Sequence, residues 1–371
     1  MRKILYAASN PVHLRNFHAP YIDRLAAEGD QVWTLCSGGY ERPGVFRSID
    51  LPLRKSMWAP VNFISALRLA ALLRRERFDL LCVHTSLAAF FVRLALLLAG
   101  KGETKAVNVV HGYLFDERTP LPKRLPLLLA ELLLRRVTDR VVVMNEGDRK
   151  LAEKHRLGAE VVFVPGAGVD FGRIGAADRG EARRKLGLRE DALLLLYPAE
   201  FSKRKNQAFL IRAMALLPEN VFLALPGEGS CLASCRRLAE KLALSGRLRF
   251  PGYTADLSEW YAAADICVSA ARHEGLPFNV MEGMYAMKPV VASRVAGHTD
   301  LVTDGVGGFL YGFGDAEEFA DCVRTLSKDP ELRQIMGEKN RKLAAAYARE
   351  RVEDIFLAAE TLEELPIPAH G

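Results

Sequence analysis

The sequence predicts an α/β protein made of two doubly wound parallel-sheet domains. Strand-like apolar runs alternate with helical patterns almost throughout, as βα units around a parallel sheet do. The chain has 371 residues, more than one average domain. Distinctive polar residues and glycines follow the apolar runs at their carboxyl ends, the edge where open α/β sheets bind ligands.

Strands are expected near 3–8, 31–36, 79–83, 106–110, 140–144 and 161–164, and then near 193–198, 221–225, 248–250, 266–269 and 289–292. Helical patterns lie between them, for example over 62–77 and 317–327. Gly, Asp and Arg replace the apolar runs over 169–182, which sets the domains at 1–170 and 171–350. Helix-forming sequence resumes at Pro330 and runs to about Glu364, before Pro366 and Pro368 end regular structure. The last segment, 351–371, is a helix and tail.

Half the residues are hydrophobic and 26% are charged, a globular composition. The net charge of +6 is uneven: residues 1–170 carry 25 Lys/Arg against 17 Asp/Glu, a net of +8, and the remainder carries 26 against 28, a net of −2. A basic first half suits nucleic acid, anionic lipid or a phosphorylated substrate, and ordinary solvated surface explains many of its charges. No signal peptide is read at Met1-Arg2-Lys3, and the apolar stretch 87–99, broken by Arg93, is too short to span a bilayer. A cytoplasmic location is expected. The six cysteines are scattered, and buried free thiols explain them better than zinc or disulfides.

The most informative segment is His273-Glu274-Gly275-Leu276-Pro277-Phe278-Asn279-Val280-Met281-Glu282. The run Ile266 to Ala270 before it reads as a buried strand, and Pro277 suits the first turn of the helix that follows. Glu274 is therefore expected in a strand-end loop and Glu282 about a turn and a half into the helix, facing one crevice. The N–H groups between them, at Gly275 and Leu276, form an anion seat. Two carboxylates flanking such a seat suit a phosphorylated sugar. Glutamates eight apart are common on ordinary helices, so the loop-to-helix context carries the signal.

After the run Leu193 to Leu196 comes Glu200-Phe201-Ser202-Lys203-Arg204-Lys205-Asn206. Cations just past a strand can neutralise a departing diphosphate, and a solvated basic loop is an even alternative. His111-Gly112-Tyr113 follows another apolar run and can hydrogen-bond a ligand while the backbone approaches closely. Asn10 and His13 lie after the first strand and His84 after the third; for His13, structural capping explains the residue as well as a ligand contact does. Pro226-Gly227-Glu228-Gly229 and Gly252-Tyr253 are weaker signals. No G-x-G-x-x-G follows the first strand, no Asp-x-Asp occurs, and no Cys/His group has metal-ligand spacing.

The segment from Glu274 to Glu282 closely resembles the E-x7-E motif of family-four retaining glycosyltransferases, which have the GT-B fold. The resemblance extends from Ile4-Leu5-Tyr6 to the terminal helix. His111, Glu131, Thr138-Asp139, Asn145 and Asp148 match the middle element of bacterial transferases that build capsule, exopolysaccharide or O-antigen repeats. It implies two Rossmann-like domains facing a cleft, with the C-terminal helix crossing back to the first. It implies Glu274, His111 and Lys205 as catalytic residues. Donor binding falls to Lys203, Lys205, Gly275, Leu276, Glu282, Gly227, Gly252 and Tyr253, and the acceptor side to Asn10, His13 and His84. Glu200 stands where an Arg is usual, a spelling similar to that of transferases of N-acetylated sugars, and Lys203 is then the second cation.

The function so implied is transfer of a hexose from a UDP-sugar to a polyprenyl-diphosphate-linked saccharide. No cofactor and no metal are expected, and the partners are the sugar nucleotide, the lipid-linked acceptor and an anionic membrane surface, with no nucleic acid. Residues 121–136 and 63–77, apolar and flanked by Lys and Arg, support peripheral attachment to the inner face of the cell membrane. Core-facing amphipathic helices explain the leucines nearly as well. The competing readings are a GT-B epimerase or phosphorylase, and a non-catalytic basic membrane- or nucleic-acid-binding module.

Overall fold

Two all-parallel sheets organise the chain. The computed structural model describes residues 1–54, 56–117, 119–174, 177–189 and 191–366. Among these, β1 (Lys3–Ala7), β2 (Gln31–Cys36), β3 (Arg47–Asp50), β4 (Leu80–His84), β5 (Lys105–Val110), β6 (Arg140–Val143) and β7 (Glu160–Phe163) form one sheet in the order β3-β2-β1-β4-β5-β6-β7. The second sheet contains β8 (Leu193–Leu196), β9 (Val221–Ala224), β10 (Leu248–Arg249), β11 (Ile266–Ser269), β12 (Val290–Ser293) and β13 (Gly308–Tyr311), in the order β10-β9-β8-β11-β12-β13. Both orders reverse direction once, between β1 and β4 and between β8 and β11, as in doubly wound nucleotide-binding sheets. Helices cover both faces, so the central strands are buried on each side and read as continuous apolar runs such as Leu193-Leu194-Leu195-Leu196.

Residues 1–167 and the chain from 352 onward form one compact unit, and residues 168–351 form the other. The sequence leaves two strands unread. β3 is an edge strand, Arg-Ser-Ile-Asp, with one apolar side chain, and β13 is an edge strand that opens on Gly308. As an edge strand, β3 pairs with β2 only and needs less apolar sequence to hold it.

The helix expected from Pro330 to Glu364 is two helices, Pro330–Ala344 and Arg349–Thr361. Between them a 3-10 turn spans Ala345–Tyr347, and the chain then pairs with Val169, whose N–H donates to Tyr347 O at 2.9 Å. From Val352 the last helix buries Val352, Phe356, Leu357, Ala359 and Glu360 in the first unit. Arg140 caps it, donating to Ala358 O at 3.1 Å and Glu363 O at 3.1 Å. Pro368 lies outside the described residues. All six cysteines are free; Cys231 and Cys322 are half-buried rather than buried.

Candidate functional site

In the second unit, the loops after β8 and β11 converge on Glu274. Asn206 adopts the left-handed conformation (φ +56°) and turns the first loop into the helix Gln207–Ala213. The loops are joined where Arg272 N–H donates to Arg204 O at 2.9 Å and Arg272 Nε to Lys203 O at 3.1 Å. Lys205 Nζ then meets Glu274 Oε1 at 2.5 Å, and Arg204 meets Glu274 Oε2 at 2.8 Å. The Glu274 carboxyl is 6% exposed, so burial pushes its pKa up, but the Lys205 and Arg204 cations outweigh this and hold it below the ordinary value. Burial lowers the Lys205 pKa, and Glu274 pulls it back.

The second cation at this carboxylate is Arg204. Lys203, expected as the second cation at the donor diphosphate, is exposed, as Arg204 is, and its described hydrogen bond is made by its backbone carbonyl. Sequence order does not reveal which of the three adjacent cations reach Glu274; in the structure Lys205 and Arg204 do. His298 is a further residue the motifs do not announce. It is fully buried and hydrogen-bonded with Ser269 Oγ at 2.9 Å; burial lowers its pKa, and Glu274 opposes this.

The helix Phe278–Tyr285 starts just after Pro277, which is its N-cap rather than part of its first turn. Glu282 sits in its second turn and accepts a hydrogen bond from Tyr261 OH at 2.7 Å. Burial raises the Glu282 pKa to about 7 against the opposing effect of that bond. Gly275 and Leu276 lie between the two glutamates, and Gly297 packs under them: a Cβ there would lie 2.5 Å from Gly275 O. Gly227 (φ +142°) similarly admits Ala199, whose O would lie 2.1 Å from a Cβ, and its N–H donates to Gly252 O at 2.7 Å. The glycine turn and the Gly252 loop are thus one structure beside the cationic loop. Tyr253 projects from it, 69% exposed.

In the first unit, His13, His18, His84 and His111 gather at the carboxyl ends of β1, β4 and β5. Asn10 caps the short helix Pro11–His13 by accepting from His13 N–H at 3.0 Å, and a π-helical turn, Leu14–His18, follows. The wider π turn brings residues five apart onto one face, and His13 Nε2 lies 3.3 Å from His18 Nε2. His111 Nε2 lies 3.5 Å from His84 Nδ1. His84 is fully buried, behind the half-buried His13 and His111, so it supports the others and is not exposed to an acceptor.

Burial lowers all four imidazole pKa values, that of His13 to about 4, and neighbouring imidazoles lower those of His18, His84 and His111 further. Behind them sits Glu360, hydrogen-bonded by Tyr6 OH and raised to about 8 by burial. His18 and Glu360 were not expected here; a lone carboxylate in the apolar run Phe356 to Ala359 was the available signal for the latter.

Glu131, Asn145 and Asp148 do structural work around His111. Asp148 accepts from Tyr113 N–H at 3.2 Å, Asn145 caps the helix Glu146–His155, and Glu131 pairs at 2.9 Å with Arg93, itself fully buried. Beside His111 opens an apolar cleft lined by Phe90, Val110, Tyr113, Phe115, Leu127 and Glu131. The helix Leu121–Leu134 buries only Leu134 and leaves Leu121, Leu125, Leu129 and Leu133 exposed in a stripe, so these four do not face the core. On the helix Pro60–Glu76, Phe63, Ile64 and Leu67 are also exposed, whereas Leu72 packs on the core. No helix among the described residues is long and apolar enough to cross a membrane.

Two doubly wound units, with Lys205 and Arg204 on a buried Glu274 at the strand ends of the second, match glycosyltransferases of the GT-B fold. The comparisons agree. Residues 178–343 match the family model Glycosyl transferases group 1, and residues 21–173 match Glycosyltransferase Family 4. The chain is 33% identical over 368 residues to EpsD of Bacillus subtilis (strain 168), provisionally named a glycosyltransferase, covering 96% of this chain and 97% of that one. It is 22% identical over 308 residues, 79% of each chain, to the Escherichia coli UDP-Gal:alpha-D-GlcNAc-diphosphoundecaprenol alpha-1,3-galactosyltransferase. Among solved structures, HepE of Anabaena in complex with UDP and glucose superposes with a TM-score of 0.79 at 20% identity, covering 98% of this chain and 99% of that one. The chain belongs to the family-four, group 1 glycosyltransferases and is a hexosyl-transferring enzyme. That membership overturns the reading as a non-catalytic basic module.

Proposed function

We propose that the chain is a retaining transferase that moves a hexose, N-acetylated in our reading, from a UDP-sugar to a polyprenyl-diphosphate-linked saccharide in bacterial surface polysaccharide synthesis. The observation that carries this is the pairing of Lys205 and Arg204 with Glu274 at the start of the helix that bears Glu282. The Escherichia coli relative's name gives a UDP-sugar donor and a diphosphoundecaprenol acceptor, and the Anabaena neighbour holds UDP. Both support the choice of substrates.

In this reading Glu282 accepts hydrogen bonds from the ribose hydroxyls. Lys205 and Arg204 turn from Glu274 to the diphosphate, joined by the N–H groups of Gly275 and Leu276, and Glu274 binds sugar hydroxyls. The bond from the anomeric carbon to the diphosphate oxygen breaks as the acceptor oxygen bonds to the same face. The acceptor proton passes to the departing phosphate oxygen, and UDP leaves. The cations and N–H dipoles stabilise the charge that develops, so this step needs no metal. His111 contacts the donor sugar or its phosphate, and Lys203, Gly227, Gly252 and Tyr253 flank the nucleotide. Asn10 and His13 lie on the acceptor side.

The apolar cleft beside His111 suits the isoprenoid part of the acceptor. The exposed leucine stripe, with Lys123, Arg124, Arg135 and Arg136 at the two ends of its helix, suits an anionic membrane surface.

The test supplies a panel of UDP-sugars with a synthetic polyprenyl-diphosphate-sugar acceptor and follows UDP release and product anomer. One donor should give acceptor-dependent release with retained configuration. Absence of acceptor-dependent release across the panel refutes the substrate assignment, and an inverted product refutes the mechanism.

A further inference from the structure

We propose that His13, His18, His84 and His111 form a binding site for one divalent transition-metal ion of the zinc class, with Glu360 behind two of the ligands. One ring nitrogen from each histidine lies within 4.8 Å of the others. A tetrahedral ion with Zn–N bonds of about 2.0–2.1 Å holds its ligand nitrogens about 3.3–3.4 Å apart. The pair His13 Nε2–His18 Nε2 stands at 3.3 Å and the pair His84 Nδ1–His111 Nε2 at 3.5 Å. The remaining separations are wider and close through ring shifts of about an ångström.

A second observation lies on the outer side of the rings. His18 Nδ1 and His84 Nε2 face the same oxygen, Glu360 Oε1, at 3.8 and 3.5 Å. All three atoms are buried, and none completes a hydrogen bond among the described residues. Metal on His18 Nε2 and His84 Nδ1 fixes the protons on the two opposite nitrogens, both directed at Glu360. One tautomer set therefore fills the inner nitrogens and satisfies the outer ones, the carboxylate–histidine–metal arrangement that orients metal ligands. Hydrogen bonds donated by His13 and His111 to His18 and His84 would place the same two protons, so metal loading is what distinguishes the two arrangements.

Such an ion ties the segment after β1 to the ends of β4 and β5 and, through Glu360, to the C-terminal helix. It leaves Nδ1 and the backbone of His111 for other partners. The inference does not rest on the donor chemistry, because metal loading is read with no sugar nucleotide present.

The experiment strips the full chain with a strong chelator and titrates it with Co²⁺ and then Zn²⁺. The expected result is one Co²⁺ per chain with the visible absorption of a tetrahedral site, displaced by one equivalent of Zn²⁺, and a rise in Tm with Zn²⁺. His13→Gln should weaken Co²⁺ binding at least tenfold and shift the tetrahedral spectrum, as replacement of one of four imidazoles by water does. Glu360→Gln should weaken affinity about ten- to a hundredfold while keeping one ion per chain. His155→Gln, outside the cluster, should change neither. A wild-type chain that gives no tetrahedral Co²⁺ spectrum overturns the proposal, whatever the variants do, and so does a His13→Gln protein that binds like wild type.

Discussion

Around Glu274 the second unit sets charge against charge, whereas around Glu360 the first unit sets a phenol and the two imidazoles of His18 and His84. Lys205 and Arg204 keep Glu274 ionised in spite of burial. At Glu360 no cation among the described residues does the same, and burial raises its pKa to about 8. The two clusters therefore present opposite chemistry to a ligand. An anion can take the cations from Glu274 in exchange for water-filled or hydroxyl contacts. A cation can take the imidazole lone pairs and leave Glu360 as the balancing charge.

Removing one partner from the charged cluster has the largest expected effect. Lys205→Ala leaves Glu274 with one cation and the diphosphate with one fewer; a charge-assisted bond of about 1.5–3 kcal/mol corresponds to roughly a ten- to hundredfold loss. Steady-state kinetics should show it in kcat/KM, with the circular dichroism spectrum unchanged. Lys205→Ala turning over like wild type would break the comparison at its stronger side.

Glu282 gives a pH test. Its folded pKa of about 7 is raised, so the stability it contributes is fully present below the unfolded carboxyl value and is lost as pH rises through about 7. Donor binding runs the other way, because the ionised carboxylate is the better acceptor for ribose hydroxyls. Affinity for a UDP-sugar should rise by up to about tenfold from pH 6 to pH 8, and Glu282→Gln should flatten the profile. A wild-type profile as flat as that of the variant would remove Glu282 from the donor site.

Gly297→Ala sharpens the role of the loop backbone. At φ +80°, with Gly275 O 2.5 Å from the new Cβ, the loop that carries Glu274 must move. A several-fold weaker donor affinity and a lower Tm are expected, since overpacking costs about 1–3 kcal/mol. Calorimetry and thermal melting check both.

The smallest effect concerns the first unit's surface. Neutralising Arg135 should lower partition onto anionic vesicles about fivefold, a loss that salt erases. Sedimentation with neutral vesicles should show no difference between variant and wild type.

The same contrast explains what was legible in the sequence. The sheets announced themselves because central strands buried on both faces must be apolar over their whole length, as at β8. Strand β3 escaped because Arg-Ser-Ile-Asp carries one apolar side chain, and β13 because it is short and opens on Gly308. Glu274 and Glu282 share one loop and helix, so their spacing could be read directly. The pairing of Arg204 with Glu274 was not legible, because three adjacent cations do not reveal which side chains reach a carboxylate on another loop. The histidine cluster draws on positions 13, 18, 84 and 111 and on Glu360, brought together by sheet order and by the returning C-terminal helix. Spacing along the chain carries no trace of it.

Lys205, Glu274 and Glu282 should together hold a uridine diphosphate group. Isothermal titration of the full chain with UDP, without added metal, tests it most directly. One site per chain is expected, weakened about tenfold or more in Lys205→Ala and in Glu282→Ala. UDP affinity equal in wild type and both variants would contradict the account.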